Sequence, residues 1–135
     1  MSAAPIKILL VEDEPPLLQL IDKYLQRMGF QVETHLKSVD ALRSFEAKPE
    51  AYQMVIADLG MPDMPGDTLL TRMLEIRPDL RILVCSGSPF FIENLPSALH
   101  RQVAFLQKPF VPKMLAEAVQ NLLKERPGSP APSVG

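Results

Sequence analysis

Five apolar runs of strand length alternate along the chain with longer segments whose apolar residues recur at helical spacing, and this alternation leaves few folds open. The runs are residues 6–11, 30–34, 53–57, 81–85 and 103–106. Most are aliphatic throughout, as strands buried on both faces must be, which points to a parallel sheet covered by helices on each side. Residues 30–34 alternate weakly and suit an outer strand. Right-handed crossovers between such strands give a doubly wound α/β architecture.

The intervening segments carry their own stop and start signals. Pro15-Pro16 opens the first helix, Leu17, Leu18, Ile21, Tyr24, Leu25 and Met28 form its apolar set, and Gly29 closes it. Ser38 is the expected N-cap of a second helix bearing Val39, Leu42 and Phe45, which ends at Lys48-Pro49. Leu69, Leu70, Met73 and Leu74 mark a third, stopped by Arg77-Pro78-Asp79. Val111, Leu115, Ala118, Val119 and Leu122 form the stripe of the last. Between the fourth and fifth runs, Pro89 and Pro96 bracket Phe90-Phe91-Ile92, so a fourth helix is expected to start near Pro96 and last one or two turns. The Phe90-Phe91 pair is expected to tuck against the core rather than form a docking patch.

The chain has 135 residues, 47% of them apolar and 22% charged, which suits one domain. That domain is expected over residues 5–125, and residues 126–135, rich in Pro, Ser and Gly, are expected to be a disordered tail or linker. A net charge of −2 supplies no positive field for a phosphate backbone, so no direct nucleic-acid partner is expected. No apolar stretch approaches the ~20 residues needed to span a bilayer. The single cysteine, Cys85, lies in an apolar run, where a buried hydrophobe is expected rather than a nucleophile. A cytoplasmic, reducing setting is expected.

In an open parallel sheet the functional crevice lies beyond the carboxyl ends of the strands. The polar residues there are Glu12 and Asp13 after the first run, Asp58 after the third, Ser86 after the fourth and Lys108 after the fifth. If the first and third strands are neighbours, about 5 Å apart, Asp13 and Asp58 share one space and repel each other. A hard divalent ion such as Mg²⁺ relieves that repulsion, because it favours one or two carboxylates together with phosphate oxygens and water. Asp58 is then the candidate nucleophile that takes up a phosphoryl group as an aspartyl phosphate. Lys108 is placed to neutralise a phosphoryl oxygen, and the Ser86 hydroxyl to donate a hydrogen bond to another.

Four motifs in order, Leu9-Leu10-Val11-Glu12-Asp13-Glu14, Asp58-Leu59-Gly60-Met61-Pro62-Asp63-Met64-Pro65-Gly66, Ser86-Gly87 and Lys108-Pro109-Phe110, make the chain resemble the CheY-like receiver domains of two-component signalling. The resemblance covers residues 5–125. It implies a flavodoxin-like five-stranded sheet of order 2-1-3-4-5 with five helices, the order the doubly wound rule describes for such proteins. It also implies that Asp58 accepts its phosphoryl group from a phosphohistidine on a sensor histidine kinase or a histidine phosphotransfer protein, and that a downstream protein target reads the result. The metal site it implies is Asp13, Asp58 and the Gly60 carbonyl, with Glu12 near the ion. Lys108-Pro109 is expected to be cis. Ser86 and Phe105 are the pair implied to move together on phosphorylation, altering a surface of the fourth helix, fifth strand and fifth helix. Gly60 and Ser88 occupy positions that tune water access to the phosphoryl group.

The resemblance also sets limits. Glu12 stands where aspartate is commoner in the family, and the fourth helix is short. Self-catalysed phosphotransfer and dephosphorylation, rather than turnover of a substrate, is the activity implied. A stand-alone regulator and the receiver of a hybrid histidine kinase both fit, with output through protein contacts or through a domain outside this chain. The competing class is a receiver-like scaffold that binds partners without phosphorylation. A Mg²⁺-dependent phosphohydrolase is disfavoured because the Asp58 loop has no second acid two residues on, and flavin binding because no hydroxyl-rich loop follows the first strand. Asp13 also suits the N-cap of the first helix, and Asp67 the first turn of the third. Asp63 is read as a loop residue rather than a ligand, and His35 and His100 as surface histidines.

Overall fold

Leu9 and Val11 of the first strand belong to one buried cluster, while Ile8 and Leu10 between them belong to another. Successive side chains of a strand face opposite ways, so this split places the sheet between two cores. The computed structural model describes residues 6–88 and 96–124. Its strands are β1 (Lys7–Val11), β2 (Gln31–His35), β3 (Met54–Ala57), β4 (Arg81–Ser86) and β5 (Val103–Gln107). They form one parallel sheet in the order β2-β1-β3-β4-β5, the order expected from the motifs.

The α-helices are α1 (Pro15–Arg27), α2 (Ser38–Ala47), α3 (Gly66–Ile76) and α4 (Pro112–Lys124). Helices α2 and α3 cover one face through Ala41, Leu42, Phe45, Leu69, Leu70 and Met73. Helices α1 and α4 cover the other through Leu18, Ile21, Leu25, Leu115, Val119 and Leu122. Each of the Leu, Ile, Val, Phe and Met side chains among these, fully buried, contributes about 1.5–3 kcal/mol by leaving water. Gly29 ends α1 as expected: its φ is +98°, its N–H donates to the Gln26 carbonyl and that of Phe30 to the Leu25 carbonyl, the double bond pattern of a Schellman cap.

The short fourth helix expected to start near Pro96 is, among the described residues, a single 3₁₀ turn at Ser97–Leu99 directly after Pro96. Gln102 follows it and sends its side-chain amide to the carbonyls of Pro78 and Leu80. Two capping expectations need correction. Ser38 does not cap α2: it is the helix's first residue, and its buried hydroxyl has no hydrogen-bond partner among the described residues. Asp13 does not cap α1, whose N-cap is Glu14, with Pro15-Pro16 occupying positions where a helix has no intrahelical use for an N–H. The Phe90-Phe91 pair and the tail at 126–135 lie outside the described residues.

Candidate functional site

Three backbone bonds continue the sheet beyond its strands and fix where the polar residues emerge. Glu12 N–H donates to the His35 carbonyl at 3.1 Å, Asp58 N–H to the Val11 carbonyl at 3.1 Å, and Lys108 N–H to the Ser86 carbonyl at 2.9 Å. The side chains of Glu12, Asp13 and Asp58 then converge, each offering a carboxylate oxygen within 4.8 Å of the others. Glu12 and Asp58 are buried, and Asp13 is the most solvent-exposed of the three.

Lys108 crosses from the end of β5 to reach both buried acids. Its Nζ lies 2.9 Å from Asp58 Oδ2 and 2.8 Å from Glu12 Oε1. The other oxygen of Asp58 accepts the Gly60 N–H at 2.8 Å, and the other oxygen of Glu12 the Glu14 N–H at 3.2 Å. Burial acts to lower the pKa of Lys108, but the hydrogen bonds and charges of Glu12 and Asp58 outweigh it and hold the ammonium well above the ordinary lysine value. Burial dominates at Glu12 and raises its carboxyl above the ordinary 4.5, against the opposing pull of Lys108 and the Glu14 amide. Lys108-Pro109 is cis.

Three carboxylates facing one ammonium leave negative charge uncompensated in a partly dry site. Hard oxygen donors in that number and spacing suit a divalent cation, so the acidic cluster can hold a metal ion.

The remaining expected residues sit around this centre. Ser86 is buried at the end of β4, its Oγ accepting the Ser88 N–H at 3.2 Å. Gly60 and Ser88 are exposed. Phe105 is half-buried against the core under α2 and α3, and lines a groove with His100, Arg101, Ala118 and Leu122 between β5 and α4. Cys85 is buried as expected, and burial pushes its thiol up to about 12.

Two features escaped the sequence reading. His35 is not a free surface histidine: its ring nitrogen is 2.8 Å from Glu33, which also accepts the Tyr52 hydroxyl at 2.9 Å and faces Lys7 at 3.5 Å. The alternation of Lys7, Glu33 and His35 on one side of two paired strands was the available signal. The second is Asp63, whose carboxylate accepts the N–H groups of Ser38 at 3.2 Å and Val39 at 2.9 Å. No local pattern marks it, because the cap and the helix are 24 residues apart.

A doubly wound parallel sheet with acids at the ends of β1 and β3 and a lysine at the end of β5 belongs to the class of α/β domains that carry their site beyond the carboxyl ends of the strands. The sequence model of the response regulator receiver domain matches residues 8–120, and the chain belongs to that family, the receivers of two-component signalling. It is 34% identical over 121 residues to the sensor kinase CckA of Brucella abortus, a match covering 88% of this chain and 13% of that protein. It is 29% identical to the response regulator receiver protein CpdR of the same organism, over 87% of this chain and 96% of CpdR. Other regulators are matched over 24% to 51% of their own length. Among solved structures, a response regulator receiver domain protein from Clostridium thermocellum superposes with a TM-score of 0.75 at 28% identity, covering 87% of this chain and 94% of that one. Among the described residues no helix is long and apolar enough to cross a membrane.

Proposed function

We propose that Asp58 is the phosphoacceptor of this receiver, with Mg²⁺ as its metal ion. The convergence of Glu12, Asp13 and Asp58 with Lys108 carries this reading. A carboxylate oxygen of Asp58 forms a bond to phosphorus as the bond from phosphorus to the donor's imidazole nitrogen breaks, and the imidazole leaves with the electron pair. Asp13, Asp58 and the Gly60 carbonyl would hold the ion, with Glu12 beside it, and it would supply positive charge to the transferred group. Lys108, kept charged by its two acids, provides a fixed positive group beside Asp58, and the Gly60 N–H orients the carboxylate.

The donor is a sensor histidine kinase or a histidine phosphotransfer protein, and a downstream protein reads the modified state. Ser86 and Phe105 form the switch. Engagement of the Ser86 hydroxyl by the phosphoryl group releases its bond to Ser88, and Phe105 changes its packing, reshaping the face built by β5 and α4. The domain spans residues 5–125, in the cytoplasm, either as a stand-alone regulator or as the receiver of a hybrid kinase.

Incubation with acetyl phosphate and Mg²⁺, followed by intact-mass analysis, tests the function. A stoichiometric, Mg²⁺-dependent phosphoryl adduct supports the acceptor. Sustained hydrolysis of phosphate monoesters, which are not phosphoryl donors to a receiver, points to a phosphohydrolase, and no adduct points to a phosphorylation-independent scaffold.

A further inference from the structure

Helix α2 begins without a cap of its own. Lys37 precedes it with no side-chain acceptor bonded to the helix, and the Ser38 hydroxyl is unpartnered among the described residues. The first N–H groups of a helix need acceptors from elsewhere, and Asp63 supplies them through both of its oxygens, Oδ1 to Ser38 and Oδ2 to Val39. Burial acts to raise the Asp63 carboxyl, but the Val39 and Ser38 amides outweigh it and the net shift is downward, as expected for an anion at a helix N-terminus. Asp63 itself lies in the loop joining β3 to α3, the loop that begins at Asp58.

That loop is pinned at its two ends by other means. Gly60 donates its N–H to Asp58, Met61 is buried in the core, and Gly66 lies so close to Leu59 that a Cβ added to it would stand 2.5 Å from the Leu59 Cα. The middle, between Met61 and Gly66, is attached to a separate helix through Asp63. We propose that Asp63 is a positioning residue for phosphoryl acceptance: by tying the acceptor loop to α2 it holds the Gly60 peptide, and through it the Asp58 carboxylate, in one orientation. This rests on Asp58 being the acceptor. Small misplacements of a reacting group are costly, so the tether acts on rate rather than merely on stability.

The test uses the full chain and three variants. Asp63→Ala removes the capping oxygens, Asp63→Asn keeps one, and Arg43→Gly weakens α2 at an exposed interior position without touching the tether. Initial rates of Asp58 adduct formation with acetyl phosphate at saturating Mg²⁺ are compared with urea midpoints and with hydrogen exchange at Val39 and Gly60. Asp63→Ala is expected to slow adduct formation about tenfold, Asp63→Asn to stay within about twofold of the unsubstituted chain, and Arg43→Gly to react normally despite a lowered urea midpoint. Normal rates in Asp63→Ala, an equal slowing in Arg43→Gly, or no recovery in Asp63→Asn overturns the proposal. Absence of adduct on the unsubstituted chain overturns the acceptor reading, and this one with it.

Discussion

Lys108 Nζ lies 2.9 Å from Asp58 Oδ2 although β4 separates the strands that carry the two residues. The same ammonium reaches Glu12 at the end of β1, so one cation at the end of β5 pairs with acids at the ends of two other strands.

Lys108→Met leaves Glu12 buried beside Asp58 with no cation. Breaking a wholly buried pair costs about 3–5 kcal/mol, and because the Lys108 side chain is 15% exposed a loss of about 2 kcal/mol is expected without divalent ions. Urea unfolding measures it, and added Mg²⁺ should recover part of the loss by binding the folded state. An unchanged midpoint contradicts the role given to the ion pair.

Gly66→Ala forces a methyl group onto Leu59, the residue following Asp58. Backbone cannot yield as a flexible side-chain tip does, so a destabilisation of about 1–3 kcal/mol is expected, together with slower adduct formation. Gly29→Ala meets no atom and pays only for its left-handed backbone, about 1 kcal/mol, with the adduct rate unchanged. Equal effects of the two on phosphorylation would separate Gly66 from the acceptor loop.

The cluster on β2 predicts a pH effect. Burial acts to raise the Glu33 carboxyl, but the hydrogen bonds of His35 and Tyr52 and the charges of His35 and Lys7 hold it below the ordinary 4.5. A depressed folded-state pKa gives stability that is complete above 4.5 and disappears as pH falls through the lower folded value. Glu33→Gln, which keeps an acceptor for Tyr52, should be less stable than the unsubstituted chain at neutral pH and should lose less stability on acidification below 4.5. Parallel stability curves for the two proteins contradict this account.

Cys85 is 2% exposed, and burial pushes its thiol up to about 12. It should resist aromatic disulfide reagents at neutral pH in the native state and react fully in urea. Rapid stoichiometric labelling of the native protein would show that β4 opens.

What the sequence disclosed and what it withheld divide along contact range. The central strands were legible because burial on both faces leaves no room for polar letters, and Gly29 because a left-handed cap nearly demands glycine. The site residues stood out as the first polar positions after each run, and strand order brought them together. Asp63 was unreadable as a cap because its helix begins in a different part of the chain, and Ser38, a good capping letter in the right place, drew the assignment. The bond from Lys108 to Glu12 was likewise hidden, since reach across three strand ends is set by geometry that no spacing encodes.

The most direct test of the central claim is reductive trapping. One hydride from borohydride displaces phosphate from an acyl phosphate to give the aldehyde and a second reduces that to the alcohol, so the acceptor is marked at its own position. After incubation with acetyl phosphate and Mg²⁺, peptide sequencing by mass spectrometry should find homoserine at position 58 of the unsubstituted chain and nowhere in the Asp58→Asn variant. A trapped product at another residue, or none at position 58, contradicts the account.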